Sequence, residues 1–381
     1  MANVQGELEA RRFTRAEVDL GALRSNVQVL TAHAGTSELW AVVKANAYGH
    51  GAVACAKAAL SAGARGLCVA LTQEALELRA ASIDAPLMVL SEQPSSDVPL
   101  LVRNDVICVV YNQPFVDALA AESQRQSKRT CVHLKIDTGM HRVGVAPEHA
   151  AARAKHIVSS PHLVLHGVMT HLATADEPQH AATSRQLDDF RRSISDVRAI
   201  APEIEHVHAA NSSAALRSLM PECTMVRAGI AMYGLTPGAG VADHMQGLRP
   251  VMSLRTRVSH VRRVRAGEGV SYGLRTTLNT DTTVATLPLG YADGVPRRAW
   301  ETSARVLVGG HRRRILGVVT MDQLMVDCGN DDVSVGDEAV IFGSQAGETV
   351  SVEDWATALG TITYEVVCAV SARVPRDFVG V

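Results

Sequence analysis

Residues 39–51 read LWAVVKANAYGHG, a short apolar run that ends at Lys44 and continues into a loop with two glycines. The run has the length and composition of a parallel strand buried on both faces. Ala-rich amphipathic stretches alternate with seven further runs of this kind, at 67–71, 87–90, 106–111, 131–137, 163–170, 206–211 and 225–233. Eight strands that alternate with helices over about 230 residues predict an α/β fold, a (β/α)8 barrel of the TIM type.

An open, doubly wound sheet also alternates strands with helices, and it is the competing interpretation. Dinucleotide-binding sheets of that kind open a helix with G-x-G-x-x-G after a strand. None of the eight apolar runs is followed by this pattern. Its absence from the sequence favours the barrel.

The pattern changes after residues 236–250, which contain Gly and Pro without periodicity. Residues 252–258 alternate in polarity like a half-buried strand, and 305–316 predict a hairpin that turns at Gly309-Gly310. Asp354–Leu359 is typical of a short helix, and Tyr364–Val370 of a last strand. We therefore expect a barrel over 13–245 and a smaller, mostly β domain over 246–381, with residues 1–12 as a candidate addition to it.

Composition excludes several classes of protein. The 37 Lys and Arg nearly balance the 39 Asp and Glu, so charge gives no reason to expect nucleic acid or an anionic membrane as partner. Seven cysteines without C-x-x-C or zinc spacing predict reduced thiols in a cytoplasmic protein and no metal site. No apolar run reaches the ~18 residues that cross a bilayer, and the N-terminus lacks the apolar core of a signal peptide.

Catalytic groups of a barrel lie where its strands end. Lys44 directly follows the first apolar run, where desolvation would lower its pKa and make it a nucleophile toward a carbonyl; a surface lysine is the alternative. Lys135 lies within the fifth run, where it needs a charge partner such as Asp137. His171 ends the sixth run, where a scaffold role is the alternative.

The seventh and eighth runs end in residues suited to an anion. Ser212 follows Asn211 at a predicted helix start, which is either a helix cap or a phosphate site. Gly229 has no side chain to keep backbone amides away from an anion. Barrels often bind phosphate at these two loops. A nucleophilic lysine together with a phosphate site predicts pyridoxal 5′-phosphate as the cofactor.

Residues 42–51 resemble the cofactor-lysine signature of the alanine racemases. The resemblance covers nearly the whole chain from about Val18, and it includes DTGMHR at 137–142, RAGI at 227–230, VSYG at 270–273, GYADG at 290–294, MDQ at 321–323 and TYE at 363–365. It implies interconversion of L- and D-alanine, which supplies D-alanine for cell-wall peptidoglycan. A racemase of broader or different specificity, such as one for serine, stays open.

The resemblance also implies residue roles. Lys44, which binds the cofactor, and Tyr272 would be the two bases on opposite faces of the substrate Cα. Arg227 would contact the pyridine nitrogen, and His171 would link it to Tyr272. The phosphate would be held by Tyr48, Ser212, Gly229, Ile230 and Tyr364.

Other implied roles concern the substrate and the assembly. Arg142 and the backbone of Met321 would hold the substrate carboxylate, and Tyr291 would line the entrance. Lys135, commonly carbamylated in the family, would support Arg142. The implied assembly is a head-to-tail homodimer in which the β domain supplies Tyr272 and Met321 to the partner's site.

Two neighbouring functions fit the sequence less well. Decarboxylases of basic amino acids share this architecture but place an acidic residue where Arg227 stands. A cofactor-carrier protein would lack the β domain. Thr320 and His141 depart from residues common in the family, and both bear on substrate breadth and inhibitor sensitivity.

Overall fold

The computed structural model describes residues 12–381. Contacts between residues divide the chain into two units. One comprises 22–47 and 51–249, and the other comprises the described residues up to 21, the short segment 48–50, and 250–381.

The first unit contains a sheet of eight parallel strands in the described part of the chain. From the first strand to the seventh, each strand pairs with the next one along the chain, and the eighth pairs with the first through Glu38 and Met225. Backbone hydrogen bonds from Thr224 to Val207 (3.0 Å) and from Arg227 to Ala210 (3.0 Å) join the seventh and eighth strands. The strands are Glu38–Val42, Gly66–Val69, Leu87–Val89, Ile107–Val110, Thr130–Lys135, Leu163–Met169, His206–His208 and Met225–Ala228.

Helices follow these strands, as the sequence predicts. They are Ala52–Ser61, Thr72–Ala80, Val98–Arg103, Gln113–Arg125, Ala150–Val158, Ala182–Arg198 and Ser212–Leu216, and one more helix, Leu20–Ala34, precedes the first strand. The strands are buried along nearly their whole length because helices cover one face of the sheet and side chains fill the interior. Trp40 occupies the space beside Gly66, where an added Cβ would lie 2.7 Å from its ring. The predicted (β/α)8 barrel is confirmed.

The second unit is mostly β. Its main sheet runs in the spatial order His260–Val264, Thr282–Leu287, Leu324–Asp327, His311–Leu316, Arg305–Val308, Glu338–Gln345, Met252–Arg257, Arg15–Asp19 and Arg376–Val379. Glu348–Val350 pairs with Glu338–Gln345, and Gly269–Val270 pairs with Thr276–Thr277. The hairpin that turns at Gly309-Gly310 is present as predicted. The predicted helix begins two residues early, at Val352, where the Ser351 hydroxyl caps the amide of Asp354 at 2.9 Å.

The start of the barrel differs from the expected residue 13. Strand Arg15–Asp19 pairs antiparallel with Met252–Arg257 and parallel with Arg376–Val379, and so belongs to the second unit. Its side chains alternate, with Ala16 and Val18 buried and their neighbours partly exposed. That pattern suits a sheet with one solvated face, whereas a barrel strand is apolar on both faces. The expected attachment of residues 1–12 falls outside the described residues except for Arg12.

The expected last strand, Tyr364–Val370, is wrong. Residues Thr363–Cys368 form a helix. β-branched residues favour a strand locally, but Thr363, Val366, Val367 and Val370 are the buried positions. Their spacing of three, four and seven residues places them on one helical face, so tertiary packing overrides the local preference.

No helix within residues 12–381 has the length and apolar character needed to cross a membrane.

Candidate active site

Lys44 lies just beyond the first barrel strand, and the backbone turns sharply after it. Val43 still pairs with the neighbouring strand through the Cys68 carbonyl (2.9 Å). Residues 45–47 then adopt the left-handed helical conformation, with φ of 52–54°. Such a run is unfavourable for L-residues, by about 1–2 kcal/mol each. The Glu74 carboxylate, which accepts from the Ala45 amide at 2.6 Å, helps to hold it.

The end of the barrel that carries Lys44 collects positive charge around Lys135. This side chain is buried, and burial together with repulsion from Arg227, Arg142 and Lys44 lowers its pKa from 10.5 to about 8, against the opposing effect of Asp137. Since each of these cations acts on the same amine, the site has an excess of positive charge. Such a site favours an anionic ligand.

Arg227 is buried on the eighth strand and is held by four acceptors. Its guanidinium donates to His208 Nδ1 (2.7 Å), His171 Nδ1 (3.2 Å) and the carbonyls of Thr170 (3.1 Å) and Ala209 (3.2 Å). Burial and the Arg227 charge hold the pKa of His171 well below its ordinary value, so this imidazole is neutral. The predicted contact between His171 and Arg227 is therefore present in the structure.

Ser212 and Gly229 meet at the ends of the seventh and eighth strands. The Ser212 hydroxyl accepts from the backbone amides of Gly229 (2.9 Å) and Ala231 (3.3 Å). Asn211, rather than Ser212, caps the short helix that follows, through the Ala214 amide (3.0 Å). Ser212, Gly229 and Ala231 thus form one hydrogen-bonded junction between the two loops, with Ile230 between the two amides, and an anion at this junction stays a prediction.

Tyr48 and Tyr364 lie together in the second unit. Their rings are 5.9 Å apart at a tilt of 51°. Gly49, with φ of +82°, approaches the helix that carries Tyr364 so closely that a Cβ would lie 2.5 Å from the Val367 carbonyl oxygen. Arg376 holds the same segment through the Gly49 carbonyl (2.9 Å). The close approach at Gly49 brings the two tyrosines into contact.

Tyr272, Tyr291 and Met321 lie on connected loops of the second unit. The Ser271 hydroxyl donates to the Val318 carbonyl (2.6 Å), and the Tyr291 amide donates to the Thr320 carbonyl (3.0 Å). All three side chains are exposed in the single chain, by 70% for Tyr272, 42% for Tyr291 and 52% for Met321. Arg142 of the first unit is exposed as well.

The histidines behind Arg227 are not among the residues predicted from the sequence. His208 is its closest partner, and His133 contacts His208 in turn at 2.8 Å. The available signal was a histidine inside each of three successive apolar runs, at 133, 166 and 206–208. Adjacent strands with such residues in register place imidazoles side by side within a barrel.

Comparisons with known proteins cover the whole of this arrangement. The family model "Alanine racemase, N-terminal domain" matches residues 18–237, and "Alanine racemase, C-terminal domain" matches 251–378. The chain belongs to the alanine racemase family. Membership makes it a pyridoxal-phosphate-dependent isomerase, which confirms the predicted enzyme class and cofactor.

Individual alanine racemases match over nearly their full length. Those of Symbiobacterium thermophilum and Frankia casuarinae are 40% and 42% identical, covering 98% and 96% of this chain and 99% and 96% of the relatives. The crystal structure of the Streptomyces lavendulae alanine racemase has a TM-score of 0.93 at 41% identity, covering 97% of this chain and 98% of that one. The Bacillus anthracis enzyme with bound L-Ala-P has a TM-score of 0.91 at 38% identity, covering 97% and 96%.

The residues of the barrel fit pyridoxal phosphate. A primary amine, Lys44, lies just beyond the end of a strand, and the Ser212 hydroxyl, whose oxygen accepts from the amides of Gly229 and Ala231, has a proton that it could donate to a phosphate. The positive charges around Lys135 match the charge of the phosphate. Within residues 12–381, no carboxylate forms an ion pair with Arg227, the residue expected at the pyridine nitrogen.

Proposed function

We propose that this chain interconverts L- and D-alanine with Lys44 and Tyr272 as the two bases, and that it supplies D-alanine for peptidoglycan in the cytoplasm. The observation that carries the proposal is the buried Arg227, whose acceptors are imidazoles and carbonyls. Arginine keeps its proton at any physiological pH, so it does not protonate a ring nitrogen. The resulting weak electron withdrawal favours proton exchange over decarboxylation or transamination.

Two bases are needed because racemisation removes a proton from one face of Cα and returns one to the other. When bound, pyridoxal phosphate withdraws electrons from the substrate Cα and weakens its C–H bond. Lys44 would hold the aldehyde carbon of the cofactor in the resting enzyme, and once the substrate amine has replaced it there, its free amine would move the proton on the D face. The Tyr272 hydroxyl would move the proton on the L face.

The remaining roles concern binding. Ser212 and the amides of Gly229 and Ile230 would hold the phosphate with the hydroxyls of Tyr48 and Tyr364. Arg142 and the Met321 amide would hold the substrate carboxylate, and Tyr291 would line the entrance. His171, which bonds Arg227, would link it to Tyr272.

Lys135 would support Arg142 as a carbamate. Its pKa of about 8 leaves part of the amine neutral near pH 7, and a neutral amine adds to the carbon of CO2 with loss of a proton. The reaction replaces a cation by an anion among Arg142, Arg227 and Lys44. The repulsion that lowers the pKa of Lys135 then becomes attraction.

We also propose a head-to-tail homodimer with shared sites. Tyr272 and Met321 are more than half exposed in the single chain, although both are expected to act on substrate. A catalytic hydroxyl needs an enclosed position, because a site that excludes water strengthens its electrostatic interactions. A partner subunit would cover these side chains and supply the barrel that they serve.

The experiment is chiral chromatography of amino acids incubated with the purified protein, with and without added pyridoxal phosphate. We expect L- and D-alanine each to reach a 1:1 mixture, serine to react more slowly, and one deuterium to appear at Cα in D2O. Lysine, ornithine and arginine are assayed for CO2 release. Release of CO2 from these, or an unchanged alanine enantiomer in the loaded enzyme, would contradict the proposal.

A further inference from the structure

Arg227 is a buried cation without a carboxylate partner in the described chain. It is 3% exposed, and burial lowers its pKa. A buried charge is costly unless it is paired and hydrogen-bonded. Its hydrogen-bond partners are imidazoles and carbonyls, so none of them compensates the charge directly.

A chain of imidazoles leads from Arg227 to the surface. Arg227 bonds His208 Nδ1 at 2.7 Å, and His208 Nε2 bonds His133 Nδ1 at 2.8 Å. His133 Nε2 bonds His166 Nδ1 at 3.2 Å, and His166 Nε2 bonds a carboxylate oxygen of Glu205 at 3.0 Å. Glu205 is exposed, with 70% of its side chain accessible.

The two ends of this chain require the same orientation. The guanidinium only donates, so His208 accepts at Nδ1, and as a neutral ring it carries its proton on Nε2. That proton points to His133 Nδ1, and the same step repeats to His166. From the other end, the Glu205 carboxylate only accepts, so His166 also carries its proton on Nε2. One pattern, with every proton on Nε2, satisfies all four hydrogen bonds.

We propose that the Glu205 carboxylate compensates the charge of Arg227 at a distance, through a relay of hydrogen bonds. In this relay His166, His133 and His208 all have the same tautomer, with the proton on Nε2. Hydrogen bonds in series polarise one another, so a carboxylate at one end makes His208 Nδ1 a stronger acceptor at the other. Glu205 and the three histidines are thus positioning residues for Arg227. Burial holds the pKa of His133 and of His208 well below the ordinary value, which keeps both rings neutral.

At the surface end of this series of hydrogen bonds, the residues also have the composition of a metal site. The tautomers that the relay from Arg227 to Glu205 requires argue against metal binding there. Ligand atoms of His166, Glu205 and His206 lie within 4.8 Å of one another. A metal on His166 Nε2 would displace the proton that this nitrogen donates to Glu205. The proton would move to Nδ1 and face the N–H of His133, which breaks the chain. Metal binding and the relay therefore exclude each other.

The first test is ¹⁵N NMR of histidine side chains in the purified holoenzyme, assigned with single histidine variants. We expect neutral Nε2–H tautomers at 133, 166 and 208 at pH 7. A protonated Nδ1 at any of the three would overturn the proposal. So would Zn²⁺ binding at micromolar concentration that is lost in Glu205→Gln.

The second test measures whether a change of charge at Glu205 affects His208 at the other end of the relay. Glu205→Gln keeps an acceptor oxygen but loses the charge, Glu205→Lys loses both, and Glu203→Gln changes a nearby exposed carboxylate that lies outside the relay. The His208 Nδ1 resonance should shift in both Glu205 variants, more in the lysine variant, and stay in place in the control. An unchanged resonance in folded Glu205→Lys would overturn the proposal.

Turnover provides a further readout that rests on the proposed function. If Arg227 contacts the pyridine nitrogen, kcat of Glu205→Lys should fall about two- to tenfold while KM for alanine stays within about twofold. Shifted resonances without a change in kcat would keep the relay and contradict the role of Arg227 at the cofactor. If neither the resonances nor kcat changed, both the relay and the role of Arg227 at the cofactor would be contradicted.

Discussion

The Ser212 hydroxyl accepts a 2.9 Å hydrogen bond from the backbone amide of Gly229, seventeen residues later on the next strand-to-loop junction. It accepts a second one from Ala231. One side chain thus ties together the loops after the last two barrel strands. The hydroxyl keeps its own proton, which it could donate to a phosphate oxygen.

Replacing this hydroxyl should weaken cofactor binding. In Ser212→Ala the loop loses a group that orders two amides, and we expect the dissociation constant of pyridoxal phosphate to rise about tenfold, equal to ~1.4 kcal/mol. Titration of the apoenzyme followed by absorbance measures it. Ser213→Ala, at the adjacent buried position, is the matched control and should bind normally. Equal affinities of the two variants would speak against a phosphate at Ser212.

Lys44 should be the residue that binds the cofactor covalently. Borohydride reduction of the holoenzyme, followed by peptide mapping, should place the cofactor mass on Lys44 because this amine ends a barrel strand beside the anion site. Lys135→Ala should still be labelled there. A label on Lys135 in the wild-type protein would show that the assignment is wrong.

The pKa of Lys135 predicts a pH-dependent stability. Its value is about 8 in the folded protein and 10.5 as a free side chain, so burial of the ammonium and its repulsion by neighbouring cations together cost about 3 kcal/mol below pH 8. Between pH 8 and 10.5 the unfolded chain binds more protons, and the cost fades as pH rises. In CO2-free buffer, Lys135→Met should unfold at higher urea than wild type at pH 7 and at a similar concentration near pH 10.5.

Bicarbonate and turnover complete that test. Bicarbonate should stabilise the wild type and leave Lys135→Met unchanged, because only a lysine forms the carbamate. Lys135→Ala should mainly raise KM for alanine while the cofactor absorption is retained. If bicarbonate left the stability of the wild type unchanged, the proposed carbamate would be contradicted. If Lys135→Ala lost the cofactor absorption band, Lys135 would have a role other than supporting Arg142.

Shared sites in a dimer predict complementation between dead variants. Lys44→Ala and Tyr272→Ala should each be inactive alone. After reversible dissociation and mixing, half of the dimers are mixed and carry one intact site, so activity should return to roughly a quarter of wild type. Mass spectrometry must confirm the mixed dimers. An inactive mixture that contains them would place Lys44 and Tyr272 of one site on the same chain.

The sequence by itself determined the barrel and the position of most candidate residues. Apolar runs such as 39–43 and 106–110 form buried strands where helices cover them. A continuous apolar run is a local feature of the sequence, so it can be recognised without knowledge of the tertiary structure. Loop residues after such strands, including Lys44, Ser212 and Gly229, lie at one end of a barrel by topology alone.

Only the tertiary structure decided which distant segments pair and which polar groups meet. Strand Arg15–Asp19 joins strands some 235 and 360 residues away, and Thr363–Cys368 becomes a helix because its buried face has helical spacing. The relay from Arg227 to Glu205 needs His133, His166 and His208 in register on three strands. Hydrogen-bond partners depend on distances between strands to within about half an ångström, and local sequence patterns carry no such information.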